Sequence, residues 1–290
     1  MYTFLAMISR KEFKRLEVKM IKKVQVYRFE FQLEKPFVIA LGTIPSVEVA
    51  IVVIEDHKGR LGIGEGCPAK RITGETIDTV LGALKVLAPT LIGEDPLRIG
   101  YLADKMDGVL SGNTAAKAAL DIALHDLAGK ILGVPVWKLL GGHTSDPIST
   151  DYTVGIDDPE KMAREAARLV EEGFREIKVK VGEDPERDVE RVGAIRKAVG
   201  DRIVIRIDAN QGWSPQEAVW ALREMEPSRV QLVEQPVPHW DLEGLRYVRE
   251  RSPIPVMADE AVHLPQDALR AIRVGAVDYI NIKLMKAGGL

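Results

Sequence analysis

Residues Arg175–Gly182 read REIKVKVG, a β-strand pattern with one anomaly. Side chains alternate faces along a strand, so Lys178 and Lys180 share one face while Ile177, Val179 and Val181 share the other. Burying one ammonium is costly, and burying two side by side costs more. Either that face is wet, or something there uses the charges.

The surrounding sequence supplies a context. From Ile148 onward, strand-like runs alternate with amphipathic helices: STDYTVGI, REIKVKVG, RIVIRIDA, VQLVEQP, IPVMADE and DYINIKL, with a helical stretch after each of the first five. Such alternation predicts a parallel sheet. Ser214-Pro215-Gln216-Glu217 carries the signals of a helix start, a capping Ser, a first-turn Pro and a Glu that completes a capping box. The second to sixth strands each carry a charged residue near the C-terminal end, in order Lys180, Asp208, Glu234, Asp259 and Lys283. By subtraction these lie 28, 26, 25 and 24 residues apart, about one β/α unit each. In a (β/α)₈ TIM-type barrel those ends converge on the face where catalytic groups sit, so the lysines are expected at a solvated mouth. The sequence stops at Leu290, just after the sixth strand, and the expectation is an α/β barrel truncated there, two units short.

Upstream the rhythm differs. Lys22–Leu33 and Val47–Asp56 alternate as antiparallel strands, and a hairpin turn at HKGR (His57–Arg60) leads into LGIGEG. From Ile77 to about Leu140 the period becomes helical, with an Ala- and Leu-rich run that must be deeply packed. Strands followed by helices suggest an α+β unit, so the expected division is an extension at residues 1–19, an α+β domain at 20–147 and the incomplete barrel at 148–290. The extension reads either as an amphipathic arm or as a start-site artefact.

Of 290 residues, 46% are hydrophobic and 29% charged, the balance of a globular protein. A net charge of −3 offers no basic stripe for nucleic acid. No apolar run approaches the roughly 18–20 residues that cross a bilayer. Cys67, the single cysteine, excludes an internal disulfide framework and fits a reducing cytoplasm. The expectation is a cytoplasmic homo-oligomer acting on a small molecule, without nucleic acid or membrane partners.

Three carboxylates on adjacent strands repel one another unless a cation, or a lysine for each, neutralises them. All-oxygen ligation favours Mg²⁺, with Mn²⁺ as a substitute, over zinc. On an eight-membered ring the second and sixth strands lie opposite, which places Lys180 and Lys283 on either side of an acid bound at that cation. This is the arrangement for taking a proton from one face of an α-carbon and returning one to the other, through an enediolate stabilised by the metal. A free lysine titrates at about 10.4, so a working base needs neighbours that disfavour its charge. Lys178 is expected to tune Lys180 in this way and to touch the substrate carboxylate.

Together, K-V-K (Lys178–Lys180), D-A-N (Asp208–Asn210), V-E-Q-P (Val233–Pro236), A-D-E (Ala258–Glu260) and N-I-K-L-M-K-A-G-G (Asn281–Gly289) resemble the enolase superfamily and its muconate-lactonizing-enzyme-like subgroup. Gly64–Thr76 and Ala118–Gly142 look like that family's capping domain. The resemblance implies Mg²⁺ on Asp208, Glu234 and Asp259, with Lys180 and Lys283 as the acid/base pair. It makes Asn210 and Glu260 supporting residues. Strand alternation favours Lys283 over Lys286, which is expected in the following loop. Thr43–Pro45 and Cys67–Gly74 are expected as loops that close over substrate. ITGET (Ile72–Thr76) and DYTVGIDDPE (Asp151–Glu160) look most like dipeptide epimerases of the L-Ala-D/L-Glu type, which implies an isomerase acting on a dipeptide. The alternatives are o-succinylbenzoate synthase, a muconate-type cycloisomerase, or an inactive fragment.

Other signals carry less. GIGEG (Gly62–Gly66) has Cys67 where a dinucleotide fingerprint needs its third glycine, so its glycines read as tight-packing positions. His125 reads as a satisfied core residue, His239 as an exposed loop residue, and Cys67 has no local partner that would make it a nucleophile.

Overall fold

The structure, a computed structural model, describes residues 20–40, 42–142 and 147–290. The expected extension at residues 1–19 lies outside the described residues. The described chain forms two compact units, one of residues 20–31, 47–142 and 284–290, the other of 32–46 and 147–283.

The first unit holds a three-stranded sheet, β1 (Ile21–Ile39), β2 (Gly42–Asp56) and β3 (Leu61–Gly66), in that order. It is followed by helices α1 (Ile77–Leu91), α2 (Ile99–Val109), α3 (Thr114–Leu132) and the short α4 (Val136–Leu139). Apolar residues of the sheet, among them Val52 and Ile54, share one core with Leu84 and Leu87 of α1 and with Leu120 and Leu124 of α3. The glycines of LGIGEG explain how closely β3 and α3 pack. A Cβ placed on Gly62, Gly64 or Gly66 would lie 2.1, 2.0 or 2.6 Å from the carbonyl oxygens of Ala123, Ala119 and Ala115. Every second strand residue thus meets every fourth helix residue, backbone against backbone, as expected of tight-packing glycines.

The second unit alternates strand and helix: β4 (Tyr152–Val154), α5 (Pro159–Glu171), β5 (Glu176–Lys180), α6 (Pro185–Val199), β6 (Val204–Asp208), α7 (Pro215–Glu224), β7 (Val230–Glu234), α8 (Leu242–Arg251), β8 (Val256–Ala258), α9 (Pro265–Val274) and β9 (Tyr279–Ile280). The six strands form one parallel sheet in sequence order, with β4 and β9 at its two edges among the described residues. Helix starts follow local chemistry: Asp158, Asp184 and Ser214 cap α5, α6 and α7, each followed by Pro. One sheet face is apolar. Ile177, Val179, Ile205, Ile207, Val233 and Val256 pack in one core with Leu169, Ile195, Leu222 and Val248 of the covering helices. The other face of β5 and β6 carries Glu176, Lys178, Lys180, Arg206 and Asp208, with Arg206 bridging Asp151 and Glu176 at 3.2 and 2.5 Å.

Two segments depart from the contiguous division at 147/148. Residues 32–40 and 42–46, from the end of β1 and the start of β2, group with the parallel sheet, where Val38 O accepts the Ile156 amide at 3.1 Å and backs onto Gly155. Residues 284–290 group with the first unit, where the Leu290 amide donates to Asp121 at 2.7 Å and the Cys67 amide to Met285 Sδ at 3.2 Å. Thr43–Pro45, expected as a loop, lies within β2, whereas Cys67–Gly74 is a loop with turns.

We predict that Gly64→Ala lowers unfolding stability in urea by about 1–3 kcal/mol, because its methyl would overlap the α3 backbone. Gly82→Ala, at a helical site with nothing within 4 Å of the added carbon, should stabilise by roughly 0.5–1 kcal/mol. Asp56, at the β2–β3 turn, provides a pH test. Burial opposes its charge, but the Arg60 and Lys58 amides and the Arg60 guanidinium outweigh burial and hold the carboxyl below its usual range. Its stabilisation is therefore full above the unfolded value and lost as pH falls through the folded one. The advantage of wild type over Asp56→Asn should shrink progressively as pH falls below about 4; parallel curves would contradict this.

Candidate active site

Parallel register places the charged residues together. Lys180, Asp208 and Glu234 are the last residues of β5, β6 and β7, and Lys180 pairs in register with Asp208, as Asp208 does with Glu234. Asp259 follows β8 by one residue. Lys283 lies three residues beyond the two-residue β9, in the connection to α10 (Leu284–Ala287), rather than within a longer strand. Lys286, expected in a loop, sits in α10 and is buried in the first unit.

The side chains form a continuous ion-paired chain. Lys178 Nζ bridges Asp208 and Glu234 at 2.8 and 2.6 Å. Lys180 Nζ lies 2.6 Å from Asp208 and donates to Asn210 Oδ1 at 2.7 Å. Asn210 in turn donates from Nδ2 to Glu260 at 3.0 Å, and its backbone amide donates to Asp208 at 2.9 Å. Lys283 pairs with Asp259. Asp208, Glu234 and Asp259 thus each meet at least one lysine.

Most of the cluster is drier than the expected solvated mouth, and Lys283 keeps 36% of its side chain exposed. Lys180 is 7% exposed and Asp208, Glu234 and Asp259 are buried. The charges tolerate burial because each is paired. That resolves the anomaly of REIKVKVG: the apolar face meets helices, and the lysine face meets carboxylates on the neighbouring strand ends.

The electrostatics follow from the imbalance of charge. Burial opposes the charge of Asp208, but Lys180 and Lys178 outweigh it and hold its carboxyl below the usual range. Burial also works against the Lys178 ammonium, yet Asp208 and Glu234 raise its pKa and keep it cationic. Burial, and then the Asp208 charge, push Glu234 upward against the pull of Lys178. Glu260 is pushed up to about 7 by burial and by Asp259 and Asp208, and its Oε2 is buried without a hydrogen-bond partner.

These observations test whether a divalent cation suits the residues. Four carboxylates face three ammonium groups, two of the acids are pushed toward protonation, and one buried carboxylate oxygen is unsatisfied. The donor set is oxygen alone, which suits a hard cation such as Mg²⁺. Among the described residues no three acidic, His or Cys side chains are gathered as a ready cage; the carboxylates turn instead toward the ammonium groups that pair with them. The residues fit the ion in charge and chemistry.

Two nearby residues escaped the sequence reading. Asn281 Nδ2 donates to Glu234 Oε1 at 2.8 Å from the far side of the row. It lies inside N-I-K-L-M-K, so strand-end position was its available signal. The Phe37 ring, from the end of β1, lies 5.8 Å from Lys180 Nζ, and no pattern in β1 marks it. The loops behind the site are also tightly set. Fully buried Asp188 accepts the Gly182 amide at 2.8 Å, Arg191 at 2.8 Å and the Trp213 indole at 3.2 Å. A Cβ on Gly212 would lie 2.0 Å from Gly182 O. His125 is buried with Nδ1 2.9 Å from Asp121 O, His239 is exposed, and burial raises the pKa of the Cys67 thiol. No helix among the described residues is long and apolar enough to cross a membrane.

Comparison with known proteins gives the lineage. Residues 22–141 match the mandelate racemase / muconate lactonizing enzyme N-terminal domain, and residues 161–290 match the enolase C-terminal domain-like family. The hydrophobic dipeptide epimerase of Enterococcus faecalis is 46% identical over 270 residues, covering 93% of this chain and 76% of its own. The L-Ala-D/L-Glu epimerase of Clostridium acetobutylicum is 42% identical over 273 residues, with 93% and 76% covered. The crystal structure of the dipeptide epimerase from Enterococcus faecalis, complexed with Mg and L-Leu-L-Tyr, matches with a TM-score of 0.90 at 45% identity, again over 93% and 76% of the two chains. These relatives are isomerases. With both domain families matched in order and such identity over most of its length, this chain belongs to the mandelate racemase/muconate lactonizing enzyme family, in the muconate-lactonizing-enzyme-like subgroup of the enolase superfamily.

Proposed function

We propose that this protein epimerises a dipeptide by removing and returning the proton α to its carboxylate, with Mg²⁺ held by Asp208, Glu234 and Asp259. The observation that carries the reading is the order of charges along the strand ends. Lys180 pairs with Asp208 at one end of the carboxylate row, and Lys283 pairs with Asp259 at the other. Bound Mg²⁺ supplies positive charge where negative charge develops on the substrate carboxylate. Mn²⁺, which also takes oxygen ligands, is the expected substitute.

The protein's own groups do the proton work. Lys180 takes the α-proton from one face of the substrate carbon, and Lys283 delivers one to the opposite face; the reverse reaction exchanges their roles. One amine must be neutral while the other is protonated. Lys178, kept cationic by Asp208 and Glu234, is placed to meet the substrate carboxylate. Asn210 holds Lys180 and Glu260 in fixed relation through its amide. The dipeptide substrates of the relatives support the substrate class.

Purified protein incubated in D₂O with Mg²⁺ and L-Ala-L-Glu, or with L-Leu-L-Tyr, should gain deuterium at the α-carbon of the C-terminal residue, read by proton NMR. Absence of exchange with both dipeptides in folded, Mg²⁺-loaded protein would sink the dipeptide assignment. Lys180→Ala and Lys283→Ala should each slow epimerisation by at least ~10²-fold, with exchange persisting on one face only; undiminished turnover in either variant removes that lysine from the mechanism. EDTA should abolish turnover and added Mg²⁺ should restore it, whereas activity that survives chelation excludes the metal role.

A further inference from the structure

Gln235 follows Glu234 directly and is fully buried, with φ of +38°. Five non-glycine residues have positive φ among the described residues, and three of them, Asn210, Gln211 and Gln235, lie just after Asp208 and Glu234. Backbone of this kind is costly for residues with a Cβ and persists where surrounding structure holds it. At Gln235 the surrounding bonds are explicit. Its Oε1 accepts the amides of Asp259 and Ala261, both at 3.0 Å, and its Nε2 donates to Val237 O at 2.9 Å. Its own amide donates to Met257 O at 2.9 Å, and its carbonyl accepts the Gln211 amide at 2.8 Å. One residue therefore ties together the segments that follow β6, β7 and β8, and its left-handed backbone carries the side chain to the turn that bears Asp259 and Glu260.

We infer that Gln235 is a positioning residue that fixes Asp259 relative to Glu234. Its consequence for metal binding rests on the function proposed above; its effect on the Asp259 backbone does not. Removing the amide oxygen leaves two N–H groups at the Asp259 turn without their acceptor, so the turn loosens and the spacing of the two carboxylates with it. Outer partners of metal-binding residues act in this manner, and their loss costs about 10–100-fold in affinity.

The test uses the full chain with Gln235→Met, which keeps side-chain length and removes both polar groups. In metal-free protein, amide hydrogen exchange at Asp259 and Ala261 should quicken at least about tenfold, while the Ile205 and Ile207 amides stay as in wild type. Mg²⁺ affinity by titration calorimetry should fall about 10–100-fold, and this fall should largely vanish in an Asp259→Asn background. Gln235→Glu, which retains an acceptor oxygen, should keep the two amides protected, and it serves as the second variant if Gln235→Met does not fold. Unchanged exchange at Asp259 and Ala261 in Gln235→Met, lost protection in Gln235→Glu, or equal affinity losses in both backgrounds would overturn the inference. A wild type that binds no Mg²⁺ defeats the proposed function, and the exchange measurements then decide the positioning role alone.

Discussion

Lys178 sits between Asp208 and Glu234, and its ammonium allows two buried carboxylates to face each other on adjacent strand ends. Without it, like charges would oppose one another across the β6–β7 pair, which is directly in register at those residues. Losing one member of a buried ion pair typically costs about 3–5 kcal/mol because the partner is left charged and dry. The same logic extends outward through Lys180 and Asn210 on one side and Lys283 on the other. The remaining excess of negative charge, expressed at Glu234 and Glu260, suits a divalent cation.

The scaffold explains why such a cluster can be held. The helix-facing side of the parallel sheet is an uninterrupted apolar core, so the charged face needs only to position its groups. Behind the strand ends, bonds among buried polar atoms take over from packing. Asp188 fastens the Gly182 and Trp213 loops, and Gln235 fastens the Asp259 turn. In the other unit the solution is different: glycines on β3 remove side chains so that helix and strand backbones meet directly. The two units thus reach close approach in different ways, one by omitting side chains and one by hydrogen bonding.

Much of this was legible from residue types. REIKVKVG reads as a strand because period-two alternation is local, and Lys180, Asp208, Glu234 and Asp259 fall at strand ends because β/α units recur at nearly constant length. GIGEG reads correctly as packing glycines, because a dinucleotide fingerprint needs a third glycine that Cys67 replaces. Failures came where non-local contacts decide. The extent of solvent at the lysine face is not legible in the alternation, which reports which side chains share a face and not what covers it. Thr43–Pro45, expected as a loop that closes over substrate, lies in a strand.

The sequence by itself determined the parallel order of the strands and the placing of Lys180, Asp208, Glu234 and Asp259 at or just after their ends, since these follow from local periodicity and spacing. Only the tertiary structure decided which charge meets which. The bridging of two acids by Lys178, the reach of Asn281 and Gln235 to other strand ends, and the burial of the carboxylates depend on side-chain contacts between segments 24 to 56 residues apart. Periodicity places a residue on a face; the bonds formed across the sheet set the distances at which its chemistry operates.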